Sequence, residues 1–184
     1  MVVEFLWEME RERGAAVAQS LASIANFAQF AADRGVFENL GEKDLLMYAC
    51  LWIPEHAGSS AEARRWLESL VAFASWAEEE QGVALARALD PTREGLTRAL
   101  PRIADANARL AAGGEAQAGG EMVVYSGGDR AQSVRGEELG LRLTAPVAER
   151  LQPGDFLRVA READGRFRVR CVYPPETARL GEIA

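Results

Sequence analysis

The spacing of hydrophobic residues changes once along this chain, and the change limits the folds it can adopt. Up to residue 112 the apolar residues recur at helical spacing, whereas after residue 120 they alternate with polar ones. Between these parts lies a run of glycine pairs separated by small and polar residues, the composition of a flexible linker. We therefore predict an α+β protein with a helical domain over 1–112, a linker over 113–120 and a small antiparallel β-sheet or barrel domain over 121–184.

The first half of the helical domain contains three predicted helices. A short helix is expected over 2–13, followed by an amphipathic helix over 15–34. The stretch 43–53 is apolar on nearly every side, which is typical of a buried central helix. Pro54 is expected to end it, and the chain's single histidine, His56, is expected to follow in a loop.

The second half of the helical domain carries signals for helix starts and ends. Ser59 and Glu62 have the spacing of a capping box, so a helix is predicted to begin there and to end near Gly82. Asp90-Pro91 indicates the start of a further helix, which Pro101 must kink or split. The core is expected to form where side chains of the capped helix pack against those of the central helix. These are Trp66, Leu67, Leu70 and Phe73 against Leu45, Tyr48 and Leu51.

Four strands are predicted after the linker, near residues 122–125, 139–143, 156–159 and 167–171, with one helical turn near 146–151. A three-residue loop at 163–165 would pair Val159 with Val169 and Leu157 with Cys171, because only that register separates apolar from charged faces. The outer face then carries four arginines, with Arg158 opposite Arg170, and extends to Phe156 and Val172. The four are Arg158, Arg166, Arg168 and Arg170.

No set of catalytic residues is recognisable in the sequence. His56 has no cysteine or aspartate cluster near it, so the spacing of a metal site is missing. Phosphate-binding loops and nucleophile motifs are also missing. Cys50 and Cys171 lie in apolar patterns and are expected to be reduced core residues. The sequence thus predicts a non-enzymatic protein with no cofactor and no metal.

The composition bears on location and partners. No apolar run is long enough to span a membrane and no leader peptide is evident, so a cytoplasmic protein without membrane contact is expected. The net charge of −7 disfavours tight, general DNA binding, because phosphate contacts need a basic surface. A local basic face remains compatible with that charge.

The stretch from Ile24 to Ala77 resembles the N-terminal core-binding domain of the tyrosine recombinases of the phage-integrase type. The first matching residues lie before and within the central helix: Phe27, Phe30, Asp44, Leu45, Tyr48 and Leu51. The others lie in the next helix and follow the family's spacing S-x-x-T-x-x-R-x-L-x-x-L-R-x-F: Ser59, Arg65, Leu67, Leu70, Phe73 and Trp76. The resemblance implies a SAM-like four-helix bundle whose capped helix faces DNA. Glu62 and Val71 stand where the family has threonine and arginine, and the recombinase catalytic domain is missing.

The C-terminal part resembles the swapped-hairpin barrel of AbrB-type proteins. The matching segments are Leu141–Leu151, the turn Pro153-Gly154-Asp155 and the closing Asp164-Gly165. This resemblance implies a DNA-binding barrel and a homodimer.

Two functions remain open from the sequence. The first is a DNA-binding accessory or regulatory protein that contacts nucleic acid where positive charge concentrates on one face: Arg64, Arg65, Arg158, Arg166, Arg168 and Arg170. The alternative is an acidic protein–protein interaction module that has lost DNA contact, favoured by the net charge and by Glu62 and Val71.

Overall fold

The computed structural model describes residues 4–5, 17–34, 40–112 and 120–182. In the helix over 17–34, side chains are described from Ile24 onward. Of the predicted helix over 2–13 the structure describes residues 4–5, which are helical, and of the linker it describes residue 120. The helical part comprises α1 (Val17–Arg34), α2 (Glu42–Met47), a π-helical turn (Tyr48–Trp52), α3 (Ile53–His56), α4 (Ser60–Gln81) and α5 (Ala86–Ala112).

The central helix does not end at Pro54, so that prediction is wrong. α2, the π-helical turn and α3 follow one another without a break, and His56 closes the helix instead of lying in a loop. Proline removes a backbone donor and crowds the preceding turn of an α-helix. Here the turn before Pro54 is widened, with the Ile53 amide donating to the Tyr48 carbonyl five residues earlier. The wider turn makes room for the proline ring inside a buried helix.

The predicted ends of α4 are confirmed. The Ser59 hydroxyl accepts the Glu62 amide at 3.2 Å, and the Glu62 carboxylate reaches back to the Gly58 amide at 2.8 Å, one residue before the cap. Gly82 ends the helix in a left-handed conformation, with φ of 67°, which glycine adopts without steric cost.

Helix α5 continues through two prolines that would be expected to interrupt it. It begins at Ala86 instead of Asp90 and continues through Pro91 and Pro101, so Pro101 does not split it. Buried side chains lie on both sides of Pro101, including Leu96 before it and Ile103 after it. Packing along this length outweighs the loss of two backbone donors, which local propensity alone does not anticipate.

The predicted core of the helical part is confirmed. Trp66, Leu67, Leu70 and Phe73 are buried in one cluster with Leu45 and Tyr48, while Leu51 is half-buried. Phe73 is fully buried, and its ring lies 5.3 Å from that of Phe27 and 5.5 Å from that of Phe5.

We expect Phe73→Ala to lower the free energy of unfolding by about 3–5 kcal/mol, because the truncation leaves a cavity among rings that cannot fully collapse. Urea unfolding followed by circular dichroism measures the change. Glu79→Ala, at an exposed position on the same helix, serves as the control and should change stability by less than about 0.5 kcal/mol. Equal unfolding midpoints for the two variants would show that Phe73 is not a core residue.

The second part of the chain forms a closed five-stranded barrel, which confirms the α+β fold class. Its elements are β1 (Glu121–Gly127), β2 (Arg130–Ser133), β3 (Glu138–Arg142), α6 (Ala145–Ala148), β4 (Phe156–Arg161) and β5 (Phe167–Tyr173), followed by a 3₁₀ turn (Pro175–Ala178) and α7 (Arg179–Glu182). The spatial order is β1-β2-β3-β5-β4, and β4 returns to β1. The sheet is antiparallel except where β3 and β5 pair in parallel. β2 was not predicted, because Ala131 is its single buried residue.

The β4–β5 hairpin has the predicted loop and an unpredicted bulge. The Glu162 amide donates to the Arg166 carbonyl at 2.8 Å, Gly165 has φ of 84°, and Val159 pairs with Val169, as expected. Beyond that pair the register shifts by one residue.

The bulge overturns the rest of the predicted hairpin register. Arg158 lies opposite Cys171 and not Arg170, and Leu157 lies opposite Val172 and not Cys171. Val172 is therefore fully buried in the barrel core, whereas the expected position was the outer face. Because Val169 and Val172 both point inward, Arg170 and Cys171 lie consecutively on the outer side.

Helix α5 belongs to both hydrophobic cores. Its buried Leu96 and Leu100 pack in the helical core, whereas Ile103 and Leu110 pack in the barrel core. Residues of the two cores alternate along α5, so the helix carries one core on one face and the other core on another face. The division into domains at residues 113–120 remains a prediction from composition.

Candidate functional site

A buried ion pair joins the barrel to α5. Both carboxylate oxygens of Asp155 accept hydrogen bonds from the Arg102 guanidinium, at 2.6 and 2.8 Å, and the Gln152 amide donates to the same carboxylate at 2.7 Å. Asp155 is completely buried, and the Arg102 side chain is 16% exposed. The turn before β4 places this carboxylate at the end of the barrel that faces α5, so the pair fixes one part of the molecule on the other.

Asn107 of α5 makes a second connection. Its amide oxygen accepts the Val172 amide at 2.8 Å, and its amide nitrogen donates to the carbonyls of Val172 and Pro54 at 3.0 and 2.8 Å. The side chain thus pairs with β5 as a neighbouring strand would and holds the end of α3 at the same point. Three elements are fixed there by one residue.

Arg158 makes a third connection and therefore does not lie on an open face. Its guanidinium donates to the Glu55 carboxylate at 2.6 Å and lies over the Tyr173 ring, 5.2 Å from the centroid. The Tyr173 hydroxyl donates to the same Glu55 oxygen at 2.6 Å. Burial raises the pKa of Tyr173 well above its usual range, and Cys171 and Glu55 add to the effect. Arg158 is thereby held between the barrel and α3.

The other arginines of the predicted face remain together near the β4–β5 hairpin, joined by Arg142 from β3. We call the group the hairpin arginine cluster: Arg142, Arg166, Arg168 and Arg170. Arg142 and Arg168 are direct neighbours across the parallel β3–β5 pair. Like charges in that position repel each other unless an acid lies between them.

Glu162 supplies the acid within the hairpin arginine cluster. Its carboxylate accepts a hydrogen bond from Arg142 at 3.1 Å. Its other oxygen lies 2.5 Å from Nε of Arg168 in an ion pair. The Glu162 side chain is 18% exposed, whereas Arg142 is 60% exposed. The carboxylate is therefore more buried than its arginine partner, and the cluster contains four arginines for this one acid.

Two loops meet beside the hairpin arginine cluster. The Leu141 amide in β3 donates to the carbonyl of Asp129 in the β1–β2 turn at 2.7 Å, and Leu141 also pairs with Phe167 at the start of β5. The β1–β2 turn and the β4–β5 loop therefore flank the end of β3 that carries Arg142. Sequence reasoning missed Arg142 as a site residue because a parallel pair is made by strands distant in sequence. Glu162 lies beside the hairpin loop in sequence, but its contact with Arg142 depends on the same strand pair.

Arg64 and Arg65 are exposed on the first turns of α4, apart from the residues of the barrel. Arg64 lies at the mouth of a groove of about 380 Å³ between α4 and α5. The groove is lined by apolar and polar side chains from both helices: Leu67, Glu68, Val71, Ala72, Arg93, Thr97, Leu100 and Pro101. Val71, which stands where the recombinase pattern has arginine, forms part of its apolar wall.

The two thiols do not have the environment of nucleophiles. Both are free and buried, and burial raises the pKa of Cys171 to about 11 and that of Cys50 above its usual range. Within the described ranges, no group of His, Cys, Asp and Glu side chains is arranged to hold a metal ion. No helix in the same ranges is long and apolar enough to cross a membrane.

Comparison of the chain with protein-family models, with curated proteins and with solved structures finds no match.

Proposed function

We propose that this chain is a non-catalytic nucleic-acid-binding protein that holds a single strand against its barrel. The observation that carries the proposal is the hairpin arginine cluster at the end of β3, between the β1–β2 and β4–β5 loops. A basic surface of this kind contacts phosphates, which supply most of the affinity in non-specific binding.

The barrel topology supports the proposal. A five-stranded barrel ordered β1-β2-β3-β5-β4, with a helix between β3 and β4, has the connectivity of OB-fold barrels. Barrels of that class bind oligonucleotides or oligosaccharides on strands 2 and 3 and with the loops after strands 1 and 4. The hairpin arginine cluster lies in the corresponding place. Because one fold serves many functions, the arginines and not the topology decide for nucleic acid.

The overall charge favours a single strand over a duplex. A chain of net charge −7 repels the dense phosphates of double-stranded DNA outside a local basic face. Four arginines opposed by Glu162 and Asp164 form a small face that fits a short stretch of backbone. In this proposal the recombinase-like helical part supports the barrel and performs no reaction, and a cytoplasmic location and a homodimer are further expectations.

We expect the protein to bind a fluorescent twelve-nucleotide oligothymidylate at low salt and to bind the matching duplex more weakly. Fluorescence anisotropy with each labelled oligonucleotide measures both affinities under one condition. Tighter binding of the duplex would contradict the single-strand proposal. A neutral oligosaccharide used as competitor should leave the signal unchanged, because it offers no phosphates to the arginines.

The alternative is a protein-interaction module, and the groove between α4 and α5 is the observation that favours it. Its apolar wall contains Val71, Ala72 and Pro101, half-buried side chains with surface left to bury against a partner. The barrel gives this alternative less support. Among the described residues, Val134 is the large apolar side chain that stands far out of the surface, and a single exposed valine is ordinary.

A further inference from the structure

Single-strand binding ordinarily combines a basic surface with aromatic rings on which bases stack. β2 and β3 lack such rings, and in β5 Phe167 packs against the barrel core and Tyr173 is fully buried. β2 reads Arg-Ala-Gln-Ser and β3 reads Glu-Leu-Gly-Leu-Arg. If the barrel holds a strand of nucleic acid, the stacking ring must come from a neighbouring element.

The chain's single histidine supplies such a ring. The His56 imidazole lies parallel to the Trp52 indole, with ring centroids 3.8 Å apart and an angle of 13° between the planes. Nδ1 of His56 lies 2.9 Å from the Trp52 carbonyl, which acts as the acceptor. One face of the imidazole is thus covered by the indole, and His56 as a whole is exposed at the end of α3. The edge that carries Nε2 is not used in this contact.

The indole below His56 is fixed in place. Trp52 donates its ring N–H to the Asn26 side chain at 2.7 Å, and Asn26 also accepts the Tyr48 hydroxyl at 3.2 Å. The Phe30 ring contacts the indole edge-on at 5.5 Å. A stacked pair held by Asn26 and Phe30 is preorganised, so its side chains lose little further freedom when a third ring is added to the stack.

Helix α3, which ends in His56, contacts the outer side of the barrel through Glu55. Glu55, the residue before His56, bonds Arg158 of β4 and Tyr173 of β5. Arg158 in turn lies opposite Cys171, which follows Arg170 on the outer side of β5. At about 3.3 Å per residue, the five steps from Arg166 to Cys171 cover roughly 16 Å. The outer side of β5 therefore leads from the hairpin arginine cluster toward the end of α3 that carries His56.

We propose that His56, supported by Trp52, is a stacking platform for one base of a single strand whose phosphates contact the hairpin arginine cluster. This inference rests on the proposed function and extends it to the helical part. The expected ligand is a short single-stranded oligonucleotide of any sequence, because stacking uses the face that every base possesses.

The test uses the full chain and the twelve-nucleotide oligothymidylate. Since the protein contains one histidine, proton NMR gives a single set of imidazole signals, and base stacking should move these signals upfield on titration. His56→Ala should weaken binding about fivefold to a hundredfold, the range found when a stacking ring is removed. His56→Phe keeps a flat ring at the same position and should retain affinity close to wild type.

The outcomes separate the platform from the proposed function. Upfield shifts of the imidazole signals support the platform when His56→Ala also binds more weakly than wild type and His56→Phe binds about as tightly. Binding that leaves the imidazole signals in place and is unaffected by His56→Ala overturns the platform and leaves the hairpin arginine cluster as the binding surface. A wild-type protein that does not bind the oligonucleotide at low salt overturns both. A folded His56→Ala variant is recognised by an unfolding midpoint close to that of His56→Phe.

Discussion

Replacing Arg102 with methionine is expected to lower the free energy of unfolding by about 3–5 kcal/mol, among the largest effects of any single change in this protein. The variant removes the partner of Asp155, a completely buried carboxylate that has no access to water. An uncompensated buried charge costs far more than an ion pair contributes, so the carboxylate must take up a proton or the barrel must separate from α5. Urea unfolding at neutral pH measures the loss.

Arg98→Met provides the matched control for Arg102→Met. Arg98 lies one turn earlier on α5, its side chain is 76% exposed, and its carboxylate partner Glu94 lies 3.5 Å away and is 86% exposed. Exposed pairs of this kind contribute between roughly 0 and 1 kcal/mol, so the control should unfold near the wild-type midpoint. If Arg102→Met unfolds together with Arg98→Met, the Arg102–Asp155 pair does not join the two parts of the molecule.

Reversing two charges of the hairpin arginine cluster should abolish oligonucleotide binding. In Arg168→Glu/Arg170→Glu the two arginines become acids beside Glu162, and the face that contacted phosphates becomes acidic. Repulsion then replaces attraction at the centre of the proposed interface, so the affinity for single strands should fall at least a hundredfold. Anisotropy with the labelled oligothymidylate measures it.

The control for this double reversal is Arg87→Glu/Arg98→Glu on α5, which changes the net charge by the same amount at two exposed positions. It should reduce affinity only slightly, because those arginines lie apart from the barrel. Equal loss of binding in both double variants would mean that net charge, and not the hairpin arginine cluster, governs binding. Unfolding midpoints of both proteins must show that the barrel remains folded.

Features of the fold that depend on neighbouring residues were predictable from the sequence. The capping serine of α4, the glycine that ends it and the three-residue hairpin loop all follow from local backbone chemistry. The central helix was extended through Pro54, and α5 through Pro101, because packing on distant elements outweighs local propensity. The residues next to these prolines in the sequence do not show which distant elements the two helices pack on.

The site could be predicted only in part, for the same reason. The alternation along β5 identified Arg166, Arg168 and Arg170 as outer residues, but the bulge after Val169 reversed the alternation beyond them. Arg142 joins the hairpin arginine cluster through a parallel strand pair, and Arg158 leaves the face because Glu55, 103 residues earlier, pairs with it. Contacts between such distant residues follow from the closed barrel and its packing on α3.

If phosphates bind to the hairpin arginine cluster, the affinity for the oligonucleotide must fall as the salt concentration rises. Each phosphate contact with a single strand releases counterions, and the logarithm of the association constant falls by about 0.7 per contact for each tenfold rise in salt. Two to four contacts predict a linear decrease with a slope of roughly −1.4 to −2.8. An affinity that does not change with salt, or no binding at the lowest salt concentration, would show that phosphates do not bind to the hairpin arginine cluster.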